Sequence, residues 1–440
     1  MYDGEKKSVK VIPVGGKAMK MKMTKEELSW VLYDVGNSAF VLIVVTALMP
    51  IFFKDVAAAT MSGAESTANW GFANSIASFI LAVLAPILGA MADYQGRKKQ
   101  FFLAFLGLGI CFTLLLATVG EGQWLLCLAL FILARVGWAG ANIFYDAFLP
   151  DVASRERMDL ISARGYGYGY VGSVIPFLVI IGLIFFSGME DGLPAGPTRV
   201  GFVIVALWWL IFSLPAMKNL RQVYFLPAQP SQVSESFRRL WQTMTEIRKY
   251  RQVFLFLAAY FFYIDGVDTI ITMSVAYGRD IGFGVTMLIV VLLVIQLLAF
   301  PFALLFGRLA TVYSTRRLLY AGIAVYSIAT LIAFFLPVID DMRVKTLAFW
   351  FIAVLVASSM GGIQALSRSY FGKLIPPEKS AEFFGFYNVF GKFAAITGPL
   401  LMGVVGRITG ETRWGVLCIL GLFAAGAFLL GKVEEPVGQH

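Results

Sequence analysis

Histidine is almost missing from this chain: the single one, His440, is the last of 440 residues. It reads as a terminal residue outside any site. The usual proton carrier near neutral pH is therefore unavailable, and proton chemistry would fall to carboxylates. Cysteine is scarce too. Cys111, Cys127 and Cys418 sit in apolar segments, none in a Cys-x-x-Cys pair, which leaves no thiolate metal site and no disulfide framework. Charge is thin, at 14% of residues against roughly 25% in soluble domains. With no Ser-His, Cys-His or metal-ligand constellation, an enzyme is not expected, and no cofactor or metal is expected. The glycine-rich run from Gly165 to Gly172 follows no strand and lies in an apolar segment, so it is not read as a phosphate loop. No signal peptide is expected, since residues 1–29 are polar and Lys-rich and the first apolar run is too long for one.

What the chain has instead is hydrophobicity: 59% of its residues are hydrophobic, with 39 Phe and 43 Gly. A bilayer core about 30 Å thick takes about 20 apolar residues of helix to cross. Twelve segments meet that need, at 30–53, 70–92, 100–119, 124–149, 163–187, 200–216, 252–277, 283–306, 317–338, 346–370, 382–405 and 414–431. The expectation is an all-α membrane protein of twelve transmembrane helices. Its parts would be an N-terminal segment 1–29, a six-helix bundle 30–216, a linker 217–251, a second six-helix bundle 252–431 and a tail 432–440.

Lys and Arg fix the expected orientation. Of 36, 27 fall on one alternating set of segments that includes both termini, and 7 on the other; Arg135 and Lys392 lie within spans. Both termini are expected in the cytoplasm, in the cell (inner) membrane, with the chain a monomer. The net charge of +9 is explained by this distribution, and with no module or basic face for it, nucleic-acid binding is not expected.

In the linker, Phe237, Leu240, Trp241, Met244 and Ile247 recur at helical spacing among Arg238, Arg239, Arg248 and Lys249. This fits either an amphipathic helix on the inner leaflet or a plain linker with one solvated helix. Thr24-Lys25-Glu26-Glu27 has the spacing of a capping box, which would start the first helix below the membrane. The halves echo each other. Gly89-x-x-Ala92-Asp93 with Lys98-Lys99 matches Gly307-x-x-Ala310-Thr311 with Arg316-Arg317, and Asp34-x-x-Asn37-Ser38 matches Asp265-x-x-Asp268-Thr269. Such echoes point to two pseudo-symmetric lobes.

Gly89-Ala-Met-Ala-Asp93-Tyr-Gln-Gly96-Arg97-Lys98-Lys99 resembles the loop between helices two and three of the major facilitator superfamily. By its chemistry, Gly89 allows close helix packing, Asp93 accepts from a neighbouring helix N-terminus or an arginine, Gly96 makes a tight turn, and Arg97, Lys98 and Lys99 meet the anionic inner leaflet. The loop is expected to gate. A narrower resemblance runs from 28 to 430. Trp30, Tyr33-Asp34, Asn37-Ser38-Ala39-Phe40, Phe144-Tyr145-x-Ala147-x-Leu149-Pro150, Gly361-Gly362-x-Gln364-Ala365-Leu366-Ser367-Arg368-Ser369 and Glu382-Phe383-Phe384-Gly385-Phe386-Tyr387 are similar to the vacuole-effluxer branch of that superfamily. That branch includes fungal vacuolar amino-acid exporters linked to autophagy. The resemblance implies a major facilitator fold and leaves the cargo open. Val35-Gly36 and Asp146 depart from its pattern, and the extra carboxylate favours a cationic cargo or a proton step.

A charge inside a bilayer costs at least about 2.5 kcal/mol and is normally kept for a pathway or a partner. At about 1.5 Å per residue, Arg135 and Lys392 lie roughly 15 Å inside their spans. Asp265 and Asp268, three apart, are expected on one helical face. Asp34, Asp146 and Arg164 lie nearer the cytoplasm. The expected substrate-binding set is Asp34, Asn37, Arg135, Asn142, Tyr145, Asp146, Asp265, Asp268, Gln364 and Lys392. Asp265, Asp268 and Asp34 are the proton-coupling candidates, and Gly89, Asp93, Gly96, Arg97, Arg164 and Arg368 the gating set. Structural ion pairing within each half, such as Lys392 with Asp265 or Asp268, is the alternative. The expected function is secondary active transport of a small polar or zwitterionic solute, an amino acid or related amine, with protons as a possible partner beside the solute and the bilayer. A lipid or lysolipid flippase or scramblase, and a non-transporting receptor, are the rivals.

Overall fold

A computed structural model of the chain describes residues 22–188, 194–227, 232–245 and 249–435. Twelve described helices are long and apolar enough to cross a membrane. They are Lys25–Ala57, Ala68–Ala92, Arg97–Thr118, Trp124–Ala147, Met158–Phe186, Ala195–Asn219, Arg251–Ser274, Val290–Leu309, Thr315–Val338, Met342–Leu374, Pro377–Thr409 and Thr412–Gly431. We number them spans one to twelve. Each falls on an apolar segment of the sequence; several, such as Arg97–Thr118 and Met342–Leu374, carry a polar flank beyond it, while Trp124–Ala147 ends two residues short. These flanks project beyond the apolar core and carry the gating chemistry described below.

Local sequence explains the ends. Thr24 closes a complete capping box: its hydroxyl accepts from the Glu27 amide at 3.1 Å, and the Glu27 carboxylate accepts from the Thr24 amide at 2.8 Å. Gly96, at φ +75°, makes the left-handed turn that starts span three. Span one widens into i→i+5 turns over Phe40–Leu48 and again over Phe53–Ala57. Pro50, which lacks an amide hydrogen, lies between the two wide segments.

Within the first half, span one packs on spans five and six, and span three on span four; within the second, span seven packs on eleven and twelve, and eight on ten. The halves meet along two seams: span five against spans eight and ten, and span eleven against spans two and four. Glycines let these helices approach. A Cβ on Gly169 or Gly172 would stand 2.6 Å from Ser38 Oγ or 2.5 Å from Val35 Cγ1 on span one, and one on Gly167 would sit 3.4 Å from the Phe300 carbonyl oxygen on span eight. The glycine-rich run thus serves both neighbours at once. Large apolar side chains remain exposed on the outside, among them Phe72, Phe79, Phe186 and Ile408, as lipid contact requires.

The linker is strapped to the first half. Leu226 donates to the Asp93 carbonyl at 2.8 Å and accepts from Gln95 at 3.2 Å, and Asp151 Oδ1 accepts from the amides of Val223 and Tyr224. The linker does contain a helix, Gln232–Thr245. It packs on span two, and its Thr243 hydroxyl donates to Glu382 Oε1 at 2.5 Å. It therefore docks on protein at the seam, which neither expectation for it included. The side chains of Phe237, Arg239, Trp241 and Met244, and residues Ile247 and Arg248, lie outside the described residues, as do residues 1–21 and His440.

Candidate functional site

Midway along the bundle, a cavity of about 420 Å³ lies in the seam between the halves. Span two supplies Asn74, Ser75, Ser78, Phe79, Leu81, Ala82 and Ala85; span four supplies Arg135 and Ile143; span eleven supplies Asn388, Lys392 and their neighbours to Ile396. Arg135 and Lys392 are both half-buried. Among the described residues neither forms an ion pair or a side-chain hydrogen bond. Lys392 Nζ lies over the Trp138 ring at 4.8 Å, within electrostatic range of Arg135, Asp268 and Asp146. Two cations from opposite halves thus share one hollow with no acid lining it. This arrangement is able to hold a carboxylate or another small anion.

Asp265 and Asp268 do not form the matched pair expected from their spacing. Asp265 is fully buried: its Oδ1 accepts from the Gly398 amide at 2.8 Å, one residue before Pro399 inside span eleven, and its Oδ2 has no partner among the described residues. Asp268, one turn on, is half-buried and faces the field of Lys392. Neither comes within 4 Å of Lys392 among the described residues, so the pairing considered for Lys392 is not made.

Asp34 and Asp146 stand apart from the cavity, bound to a residue placed in the gate. Arg368, 2% exposed on span ten, donates to Asp146 Oδ1 at 3.1 Å, Asp34 Oδ2 at 3.2 Å, and Ser162 Oγ at 3.0 Å. Its guanidinium carbon also lies 4.5 Å from the Trp30 ring, 5.4 Å from Tyr145 and 4.4 Å from Tyr166. Asn37 donates to Asp34 Oδ1 at 2.9 Å and accepts from Trp138 at 3.0 Å and Asn142 at 3.4 Å. Asn388 donates to Asp146 Oδ2 at 3.3 Å. Two polar tracks therefore join the Arg368 cluster to the cavity, one through Asn37 and Trp138, the other through Asn388. Gln364 is spent on a bond across the seam, accepting from Tyr170 Oη at 2.9 Å.

The Lys-rich face of the bundle is sealed between the halves. Asp93 accepts from the first amides of span eleven, Ala381 at 2.8 Å and Glu382 at 3.1 Å, so a carboxylate caps a helix N-terminus. Gly89 makes that approach possible: a Cβ there would lie 3.1 Å from Glu382 Cα. Lys98 is fully buried, bonded to Asp151 and to Ser380 at 2.7 Å each. Its expected place at the leaflet surface is therefore wrong. It reaches inward because Asp151 of its own half and the Ser380 hydroxyl across the seam both accept from it. Asp159 binds Lys373 and Ser369 at 2.5 Å and Thr315 at 2.8 Å. Arg97, expected in the gate, instead points outward and donates to Gln100 at 3.2 Å on its own helix. Arg164 makes no ion pair or side-chain hydrogen bond among the described residues. At the edge of this face Glu27 grips Arg157 with two 2.6 Å bonds, and that carboxylate raises the guanidinium pKa above its ordinary value.

The model of the vacuole effluxer Atg22-like family matches residues 63–439. The chain belongs to that family. Among its relatives is the MFS-type transporter YxiO of Bacillus subtilis, 48% identical over 421 residues, covering 95% of this chain and 96% of the relative. Autophagy-related protein 22 of Coccidioides immitis is 25% identical, covering 82% of this chain and 72% of its own. The human organic anion transporter MFSD10 superposes with a TM-score of 0.68 at 14% identity, covering 93% of this chain and all of that one, and so shares its fold. The chain is a multi-pass membrane transporter with the major facilitator fold, two six-helix bundles facing each other.

The residues that sequence reasoning missed are Lys98 as a bridge, Asp151, Asp159, Lys373, Glu382 and Trp138. All but Trp138 are charges near span ends, where solvation is the ordinary expectation. Trp138 was hidden among the aromatic residues that make up 15% of the chain.

Proposed function

We propose that this chain moves a small polar or zwitterionic solute, an amino acid or related amine, by alternating access, with its Lys-rich face and both termini in the cytoplasm. The unpaired cations Arg135 and Lys392, one from each half in one central cavity, carry this reading. A cargo carboxylate would bridge them and so draw the halves together around it. Alternating access needs a site at the junction of two lobes that rock, and the sealed Lys-rich face corresponds to the phase in which the cavity is reached from the other side. Asp268, beside Lys392, is the proposed proton site. Asp265, locked onto Gly398, is the poorer candidate, and its unpartnered oxygen suits a protonated carboxyl. The relatives carry transporter and autophagy-related names, in keeping with solute efflux.

The test is a thermal-shift screen of purified protein against amino acids, short peptides, polyamines and quaternary amines, followed by flux into proteoliposomes with and without a pH gradient. A ligand stabilises the folded state by mass action, so a cargo raises the melting temperature with concentration. Failure of every carboxylate-bearing solute to do so overturns the reading. One observation favours a second reading. Phe79, Phe393 and Ile396 on the cavity rim are exposed, which suits an amphiphile with an anionic head entering from the bilayer. Transbilayer movement of a fluorescent phospholipid in the same vesicles, with no solute flux, would select it.

A further inference from the structure

The surroundings of Arg368 are one-sided. Every group it contacts comes from the first half: Trp30 and Asp34 on span one, Tyr145 and Asp146 on span four, Ser162 and Tyr166 on span five. From the second half the described residues bring Arg368 to the centre of this cluster and Asn388 to its edge, where it donates to Asp146 Oδ2. Two carboxylates and three ring faces surround one guanidinium, so the box is more anionic than its occupant requires. The rings lie 4.4–5.4 Å from the guanidinium carbon, within the distance at which an aromatic face attracts a cation. Trp30 is held rigid by stacking on Tyr145 at 4.4 Å and by donating to the Tyr145 carbonyl at 2.9 Å. Gly165 leaves the room: a Cβ there would stand 2.6 Å from Asp34 Oδ2 and 3.0 Å from Trp30.

We propose that this box, formed by Trp30, Asp34, Tyr145, Asp146 and Tyr166, is a binding site for organic cations, filled in the present conformation by the chain's own Arg368. The proposal rests on the alternating-access reading above: when the halves part at the Lys-rich face, Arg368 leaves with the second half. The carboxylates left behind are then unpaired in a poorly solvated place, which is costly unless another cation enters. An aliphatic ammonium fits the aromatic faces and the two acids. Arg368 is thus a tethered competitor whose effective concentration is that of a short intramolecular link. A cargo ammonium that takes the box holds the Lys-rich face open, and the return of Arg368 expels it. The Asn37–Trp138 and Asn388 tracks connect this station to the cavity where a carboxylate is held, so an amino acid would meet an anion site and a cation site in sequence.

The experiment measures tetramethylammonium affinity of the full chain in nanodiscs, by tryptophan fluorescence and melting temperature, against sodium at equal ionic strength. Arg368→Gln should bind at least about tenfold more tightly than the unsubstituted chain, because the tethered competitor is gone. Adding Asp34→Asn and Asp146→Asn should remove that gain. Arg368→Lys, which keeps the charge and loses the planar fork, should bind with an affinity between the two and serves if Arg368→Gln does not fold. No gain in a folded Arg368 variant, or a gain that survives loss of both carboxylates, overturns the box. The response of the same samples to carboxylate solutes is read separately: its absence sinks the transport reading, while its presence with no tetramethylammonium gain sinks only the box.

Discussion

Arg135 and Lys392 are two like charges that share one hollow inside a membrane, with no acid lining it and no ion pair to either among the described residues. Neither contributes to stability in that state, since each keeps most of its desolvation cost and repels the other. Replacing either with Gln should therefore leave the melting temperature unchanged or higher, and should lower cargo affinity by about tenfold or more, the worth of one charge-assisted hydrogen bond. Lys392→Arg should retain part of it. A transport assay with a melting scan checks both, and a loss of stability without loss of affinity would make the pair structural. At Gly165 the forecast runs the other way. Gly165→Ala places a methyl against Asp34 and Trp30 and should destabilise by about 1–3 kcal/mol, read as a lower melting temperature. The sequence reveals Arg135 and Lys392 because a lone charge interrupts a long apolar run. It cannot reveal Lys98, which stands between Arg97 and Lys99 and looks like them. Only the fold shows that the middle one of three neighbours turns inward to Asp151 and Ser380.

Spans two and eleven pack on each other where the halves meet at the Lys-rich face. Close approach at Gly89 and at Gly385, where a Cβ would stand 2.6 Å from the Ala85 carbonyl oxygen, brings their backbones together from both directions. The amides of span eleven then point at Asp93. The echo in the second half is partial: Gly307 meets Ala163 on span five, but Thr311 in the place of Asp93 only donates to the Arg308 carbonyl of its own helix. The latch is therefore asymmetric, and Asp93→Ala should release one seam only. The expected outcome is faster labelling of cysteines introduced at the Lys-rich end of span eleven, with the cargo affinity at the cavity kept within about twofold, since Asp93 lies about 15 Å or more along its helix from the cavity's far residues. Unchanged labelling would mean that Lys98 and Asp159 hold the face shut without it. Helix positions are legible in the sequence because length and apolarity decide them. The wide turns over Phe40–Leu48 are not, since they follow from how span one packs on spans five and six.

The whole molecule is closed at one face by several buried charge clusters that cross between its halves: Asp93 with span eleven, Lys98 with Ser380, Asp159 with Lys373, and Arg368 with Asp34 and Asp146. Breaking a buried pair costs about 3–5 kcal/mol when one partner is left uncompensated. A rocking motion that broke all of them singly would never occur at a useful rate, so each must find a new partner or a ligand as it opens. Cargo and coupling ion act only through the difference in their affinity for the two states. On the proposed reading, a proton on Asp268 would meet this need. It leaves the field of Lys392 uncompensated, which strengthens the hold on a cargo carboxylate, and its departure weakens that hold. The expected outcome is that Asp268→Asn, a fixed mimic of the protonated form, binds cargo at least as tightly as the unsubstituted chain and exchanges cargo across the vesicle, yet no longer accumulates it when a pH gradient is imposed. Counterflow and gradient-driven uptake in the same proteoliposomes separate these two activities. Full gradient-driven accumulation by Asp268→Asn would place the coupling proton elsewhere, with Asp265 and its unpartnered oxygen next in line.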